Sequence, residues 1–190
     1  RLAWTGGDFA AVVDGQARGI WQGATISAGQ TISIRAGQSG NWGYLAFGGT
    51  LATNVWLGSA STHRLSGLGG GTLVDGQSIT AEMRDGPLGT TIAQPLQDQG
   101  SVLGIVIGPQ DRHFKAAAID RFLSTPIEAT ANFDRMGMVI SAAVPPDPVL
   151  GLVSEPATGG AIQIDGAGRA VLLLADHQTT GGYPKIGILG

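Results

Sequence analysis

The densest group of chemically capable side chains lies near the end of the 190-residue sequence. Val171-Leu172-Leu173-Leu174-Ala175 runs directly into Asp176-His177-Gln178-Thr179-Thr180-Gly181-Gly182-Tyr183-Pro184-Lys185. An apolar strand that opens onto such a tip offers a proton acceptor in Asp176, hydroxyl donors in Thr179 and Thr180, and a cation in Lys185. The Gly181-Gly182 amides are free of side chains and suited to an oxyanion or bound anion. That chemistry fits a carboxylate, carbamate or phosphate. The competing reading is a turn whose Asp and Thr side chains satisfy their own backbone.

Asp134-Arg135-Met136-Gly137 is the second candidate. Arg135 can grip a carboxylate or phosphate with two parallel hydrogen bonds, and Gly137 allows close backbone approach. On an extended strand Asp134 and Arg135 would face opposite ways, so they would form no local pair. A rim arginine in a surface ion pair is the plainer alternative. The two clusters are expected to converge on one cleft, with Arg135, Asp176 and Lys185 catalytic. Gln163, Gln178, Thr179, Thr180, Gly181, Gly182 and Tyr183 would bind substrate there. Gly108-Pro109-Gln110-Asp111 reads as a turn leading into a helix rather than as a ligand site. Asn41–Tyr44 and Ser59–His63 are loop-edge polar groups that could line a cleft.

Several chemistries are excluded or disfavoured. There is no cysteine, hence no disulfide, thiolate catalysis or thiolate zinc site. His63, His113 and His177 fall in no metal-ligand spacing, and no metal is expected. No phosphate-cradling G-x-x-x-x-G-K-[ST] loop and no G-x-S-x-G elbow occur, so the chain has no recognisable ATP site of its own. Net charge is −3 and evenly spread, which disfavours nucleic acid. The longest apolar runs fall well short of the ~20 residues a membrane helix needs.

The elements that must position these residues are mostly strands. Strand signals occur at Thr31–Arg35, Gly43–Phe47, Thr50–Trp56, Gln77–Met83, Val102–Ile107, Met138–Ala143, Ala161–Ile164 and Val171–Leu174. Glycine supplies 32 residues without a collagen period, which implies many tight turns. Barrel or sandwich closure is the expected architecture. One helix is predicted over Arg112–Leu123, with Asp111 as its N-cap. The Gln- and Gly-bearing stretch Pro87–Gly100 suggests a boundary, giving domains at 1–96 and 97–190. All four tryptophans precede it, implying differently built cores. Pro145-Pro146-Asp147-Pro148 must form a loop. Charged residues make up 13% of the chain against ~25% in typical soluble domains, consistent with a surface partly covered by a partner.

The run Gly160–Gln163 followed by Ala175–Ile186 closely resembles the C-terminal signature of the allophanate hydrolase subunit 2, or biotin-dependent carboxyltransferase, family. Asp134–Gly137, Gly108-Pro109-Gln110, Tyr44–Ala46 with Gly48-Gly49, and Leu57–Ser59 with Ser61-Thr62 match its other landmarks in order. The resemblance implies a mainly β protein built from cyclophilin-like β-barrel domains with one principal short helix. Family members extend further, so both ends of this sequence look truncated. Members include the C component of an ATP-dependent 5-oxoprolinase, which opens 5-oxoproline to glutamate together with an A component and an allophanate hydrolase subunit 1-like B component. ATP would then be bound by the complex rather than by this chain. The alternatives are the carboxyltransferase component of a urea carboxylase and allophanate hydrolase system, with biotin on a separate polypeptide, or a non-catalytic antagonist of a sporulation-kinase inhibitor. A cytoplasmic location is expected.

Overall fold

The computed structural model describes residues 1–84, 102–143 and 151–190. The chain divides into two compact units, Arg1–Gln97 and Asp98–Gly190. The expected boundary stretch Pro87–Gly100 and the Pro145–Pro148 loop lie outside the described residues.

The first unit contains eight short strands: β1 (Leu2–Gly6), β2 (Phe9–Val13), β3 (Gln16–Arg18), β4 (Gln22–Ala24), β5 (Ile32–Ala36), β6 (Gly43–Phe47), β7 (Gly49–Leu51) and β8 (Ala81–Met83). They pair antiparallel in the orders β4-β1-β6, β3-β2-β5 and β7-β8. Its buried apolar side chains are Trp4, Ala11 and Val13, and the Trp4 indole donates to the Gly19 carbonyl at 2.9 Å. Trp21 is half-buried, whereas Trp42 and Trp56 are 37% and 51% exposed. The Thr50–Trp56 strand is also shorter than expected, because β7 ends at Leu51 and Trp56 makes only an isolated bridge to Ser59. β-branched and aromatic residues favour a strand only where a neighbour pairs with them.

The second unit contains β9 (Ile105–Ile107), a 3-10 turn (Asp111–His113), α1 (Ala116–Ser124), β10 (Glu128–Phe133), β11 (Gly137–Ser141), β12 (Glu155–Pro156), β13 (Ala161–Ile164), β14 (Ala170–Leu173), β15 (Thr180–Gly181) and β16 (Lys185–Leu189). An antiparallel sheet runs β10-β11-β14-β13-β16-β9, and β12 pairs with β15 in a separate two-strand ribbon. The fold is mainly β, with one α-helix among the described residues. The single helix predicted from Arg112 with an Asp111 cap is in fact two pieces. Phe114 and Lys115 are extended between them, and Lys115 occupies the N-cap position of α1 without a side-chain cap bond.

Core formation follows strand alternation. Ile162 and Ile164 of β13 point to one face and pack with Ile140, Ala170, Ile186 and the helix residue Phe122. Gln163 therefore points to the opposite face. It is nonetheless only 2% exposed, so that face is covered as well.

Candidate functional site

Asp134 and Arg135 do not lie on an extended strand. They form the turn between β10 and β11, in which the Asp134 carboxylate accepts from the Met136 and Gly137 amides at 2.8 and 3.1 Å. The Asp134 amide closes the turn on the Gly137 carbonyl at 3.0 Å. Arg135 projects from this turn onto Asp176, just beyond the end of β14. Its Nε and Nη2 donate to the two carboxylate oxygens at 2.6 and 3.0 Å, and the Asp176 amide donates to the Arg135 carbonyl at 2.8 Å. The side chains are 49% and 43% exposed, so this pair sits at a wet rim.

Lys185 does not join that pair. A register shift between β13 and β16 sets Gln163 opposite Lys185, while Ile162 lies opposite Gly187. The intervening Ile186 is the extra residue of a β-bulge, and it turns into the apolar core. The bulge thereby leaves Lys185 across from Gln163, away from the core. Both are buried, at 3% and 2% exposure.

Around them lies a polar cluster drawn from four segments. Gln110, 2% exposed, precedes the 3-10 turn; its side-chain Oε1 accepts from the Lys185 backbone amide at 2.8 Å, and its Nε2 donates to Glu155 Oε2 at 2.8 Å. The Lys185 ammonium lies 3.9 Å from the same Glu155 oxygen, beyond hydrogen-bond range. Gln178 Nε2 donates to Gln163 Oε1 at 3.1 Å. Within this cluster two buried donors have no hydrogen-bond partner among the described residues: Lys185 Nζ and Gln163 Nε2. Buried polar groups are rarely left unmatched, because each costs about 1–3 kcal/mol.

The Asp176–Lys185 tip covers this cluster. From the rim at Asp176 it brings Gln178 and then Gly181 over Gln163; a Cβ on Gly181 would stand 3.1 Å from Gln163 Nε2. Thr180 and Gly181 form β15 and pair with Pro156 and Glu155, rather than making an open amide nest. The Thr179 carbonyl accepts from the Ala157 amide at 2.9 Å, Gly182 packs tightly on the Leu152 carbonyl, and Tyr183 is 43% exposed. His177 Nδ1 is 2.7 Å from the Gln178 carbonyl. Among the described residues no group of three or more His, Cys, Asp or Glu side chains is arranged to hold a metal. No helix among them is long and apolar enough to cross a membrane.

Sequence reasoning selects Gln163, Gln178, Gly181 and Lys185 but passes over Gln110 and Glu155. Gln110 reads as a turn residue, and Glu155 carries no local motif. A glutamine directly before a turn is the available signal for Gln110.

The chain is similar to several known proteins. The chain is 28% identical to the C component of 5-oxoprolinase from Escherichia coli, over 97% of its own length and 61% of that protein's. It is equally identical to the corresponding 5-oxoprolinase component of Haemophilus influenzae, over 85% of the chain and 53% of that relative. It thus spans less than two thirds of either. The solved structure of TTHA0988 superposes with a TM-score of 0.80 at 29% identity, covering all of this chain and 38% of that one. The Kluyveromyces lactis urea carboxylase shares the fold, at TM-score 0.80 and 17% identity, with the chain covering 19% of it. Residues 1–189 match the family described as carboxyltransferase domain, subdomain A and B, and the chain belongs to that family.

Proposed function

We propose that this chain is part of the C component of a 5-oxoprolinase, acting with the A and B components to couple ATP hydrolysis to opening of the 5-oxoproline lactam, giving glutamate in the cytoplasm. The likeness to two proteins of that name along most of the chain carries the reading. The site agrees with it, because two unmatched buried donors suit the oxygen of a small carbonyl compound. ATP would be bound by the complex. Dependence on partners is supported by the apolar surface of the first unit, where Leu57, Leu65 and Val74 are 90%, 78% and 69% exposed.

Family membership supports a second reading, carboxyl transfer from carboxybiotin on another polypeptide to urea. Reconstitution decides between them. Full-length protein purified with its A and B partners should release glutamate and ADP from 5-oxoproline and ATP, and the C component alone should be silent. Carboxyl transfer to urea without any loss of 5-oxoproline would overturn the first reading in favour of the second.

A further inference from the structure

We propose that Lys185, Gln163 and Glu155 form a subsite for the edge of an uncharged amide. Lys185 Nζ and Gln163 Nε2 would donate to its carbonyl oxygen, and the Glu155 carboxylate would accept from its N–H. This deepens the 5-oxoprolinase reading and rests on it for the occupant, a lactam.

Charge balance selects the ligand class. Within the cluster one cation faces one anion, with Lys185 Nζ 3.9 Å from Glu155 Oε2. A ligand carboxylate entering here would set a second anion beside Glu155 with a single buried cation to serve both, an unfavourable arrangement at low dielectric. An uncharged amide costs far less to desolvate. It also presents what the cluster lacks, an acceptor for two orphaned donors, together with a donor for Glu155. The substrate's own carboxylate, where it has one, lies outside this subsite.

The supporting residues are built for the task. Gln110 is a positioning residue: one buried amide holds both the Lys185 backbone and the Glu155 carboxylate at 2.8 Å. The cover is light. It consists of the Gln178 bond to Gln163 and of β15, which is paired over only two residues with the strand that carries Glu155, and so short a ladder is easily opened. Gly181 lacks the side chain that would crowd Gln163 Nε2, and a methyl group there would stand 3.1 Å from it.

The test is binding of three probes to the full-length protein: 2-pyrrolidinone, N-methyl-2-pyrrolidinone and glutarate. 2-Pyrrolidinone should bind and compete with 5-oxoproline. Its N-methyl analogue, which cannot donate to Glu155, should bind roughly 10- to 100-fold more weakly, as should glutarate. Lys185→Met and Gly181→Ala should each weaken 2-pyrrolidinone at least ~10-fold while circular dichroism stays unchanged. Gln110→Met should shrink the preference for N–H over N-methyl, an effect that a merely structural role would not produce. Equal binding of the two lactams, binding of neither, or full binding by both the Lys185 and Gly181 variants overturns the subsite. N–H-selective binding in a complex that cannot open 5-oxoproline keeps the subsite and removes the 5-oxoprolinase reading. Turnover of 5-oxoproline with unchanged KM in both variants does the reverse.

Discussion

Replacing Lys185 with methionine should leave the second unit as stable as before or more so, while weakening 2-pyrrolidinone binding at least ~10-fold. The substitution keeps most of the aliphatic stem and removes a buried ammonium that has no hydrogen bond. Relief of one unsatisfied buried donor is worth about 1–3 kcal/mol. Against this stands the lost attraction to Glu155 at 3.9 Å. Glu155 is 42% exposed and keeps its bond from Gln110, so the loss is in the range of a partly exposed pair, up to ~1 kcal/mol. The balance is a gain of roughly 0–3 kcal/mol, and each kcal/mol gained would raise the midpoint of a unit this size by about 4–8 °C. The opposite half of the pair provides the control. Glu155→Gln leaves the buried cation with no counter-charge and should cost up to ~1 kcal/mol, the same pair attraction. Urea titrations of both variants, with the slope unchanged, measure the two shifts. Opposite signs support the account. A loss above ~1 kcal/mol in Lys185→Met would mean that the ammonium is a structural partner, and the reasoning from orphaned donors would fail.

Two further outcomes follow from the same geometry. Arg135→Ala should cost less than ~1 kcal/mol in a melt, because its partner Asp176 is 43% exposed and the backbone bond between them survives; a larger loss would make the rim pair a structural clasp. Burial raises the Asp165 pKa, but the Arg169 amide and guanidinium, the Ala167 amide and the Arg169 charge together hold it below its ordinary value. The stability this carboxylate adds is therefore complete above its unfolded pKa and is lost as pH falls through the lower folded value. Asp165→Asn should flatten that acid limb of the stability profile, and an unchanged limb in acid titration would contradict the assignment.

Local pattern determined the parts that need only near neighbours. The strands at Gly43–Phe47 and Ala161–Ile164 have the bounds expected from their composition; Ala161–Ile164 is buried along its whole length, as an apolar, β-branched run bounded by turns suggests, whereas Gly43–Phe47 is an exposed strand defined by its pairing with β1. The polar tip after β14 was equally plain, as was its place at a strand end. The periodicity of a strand also put Gln163 opposite the core isoleucines, once the strand itself was known. The tertiary structure decided which polar residues meet. Extended backbone would have turned Asp134 and Arg135 to opposite faces, but the Asp134 side chain captures two amides and makes a turn, from which Arg135 reaches Asp176, 41 residues away. Gln110 reaches Lys185 across 75 residues and Glu155 across 45. Glu155 sits in a two-residue strand, too short to show any alternation. The orientation of Lys185 depends on one bulged residue, Ile186, and a one-residue slip in register moves a side chain to the other face of the sheet. Composition cannot encode that choice, since it arises from packing Ile186 into the core against partners distant in sequence.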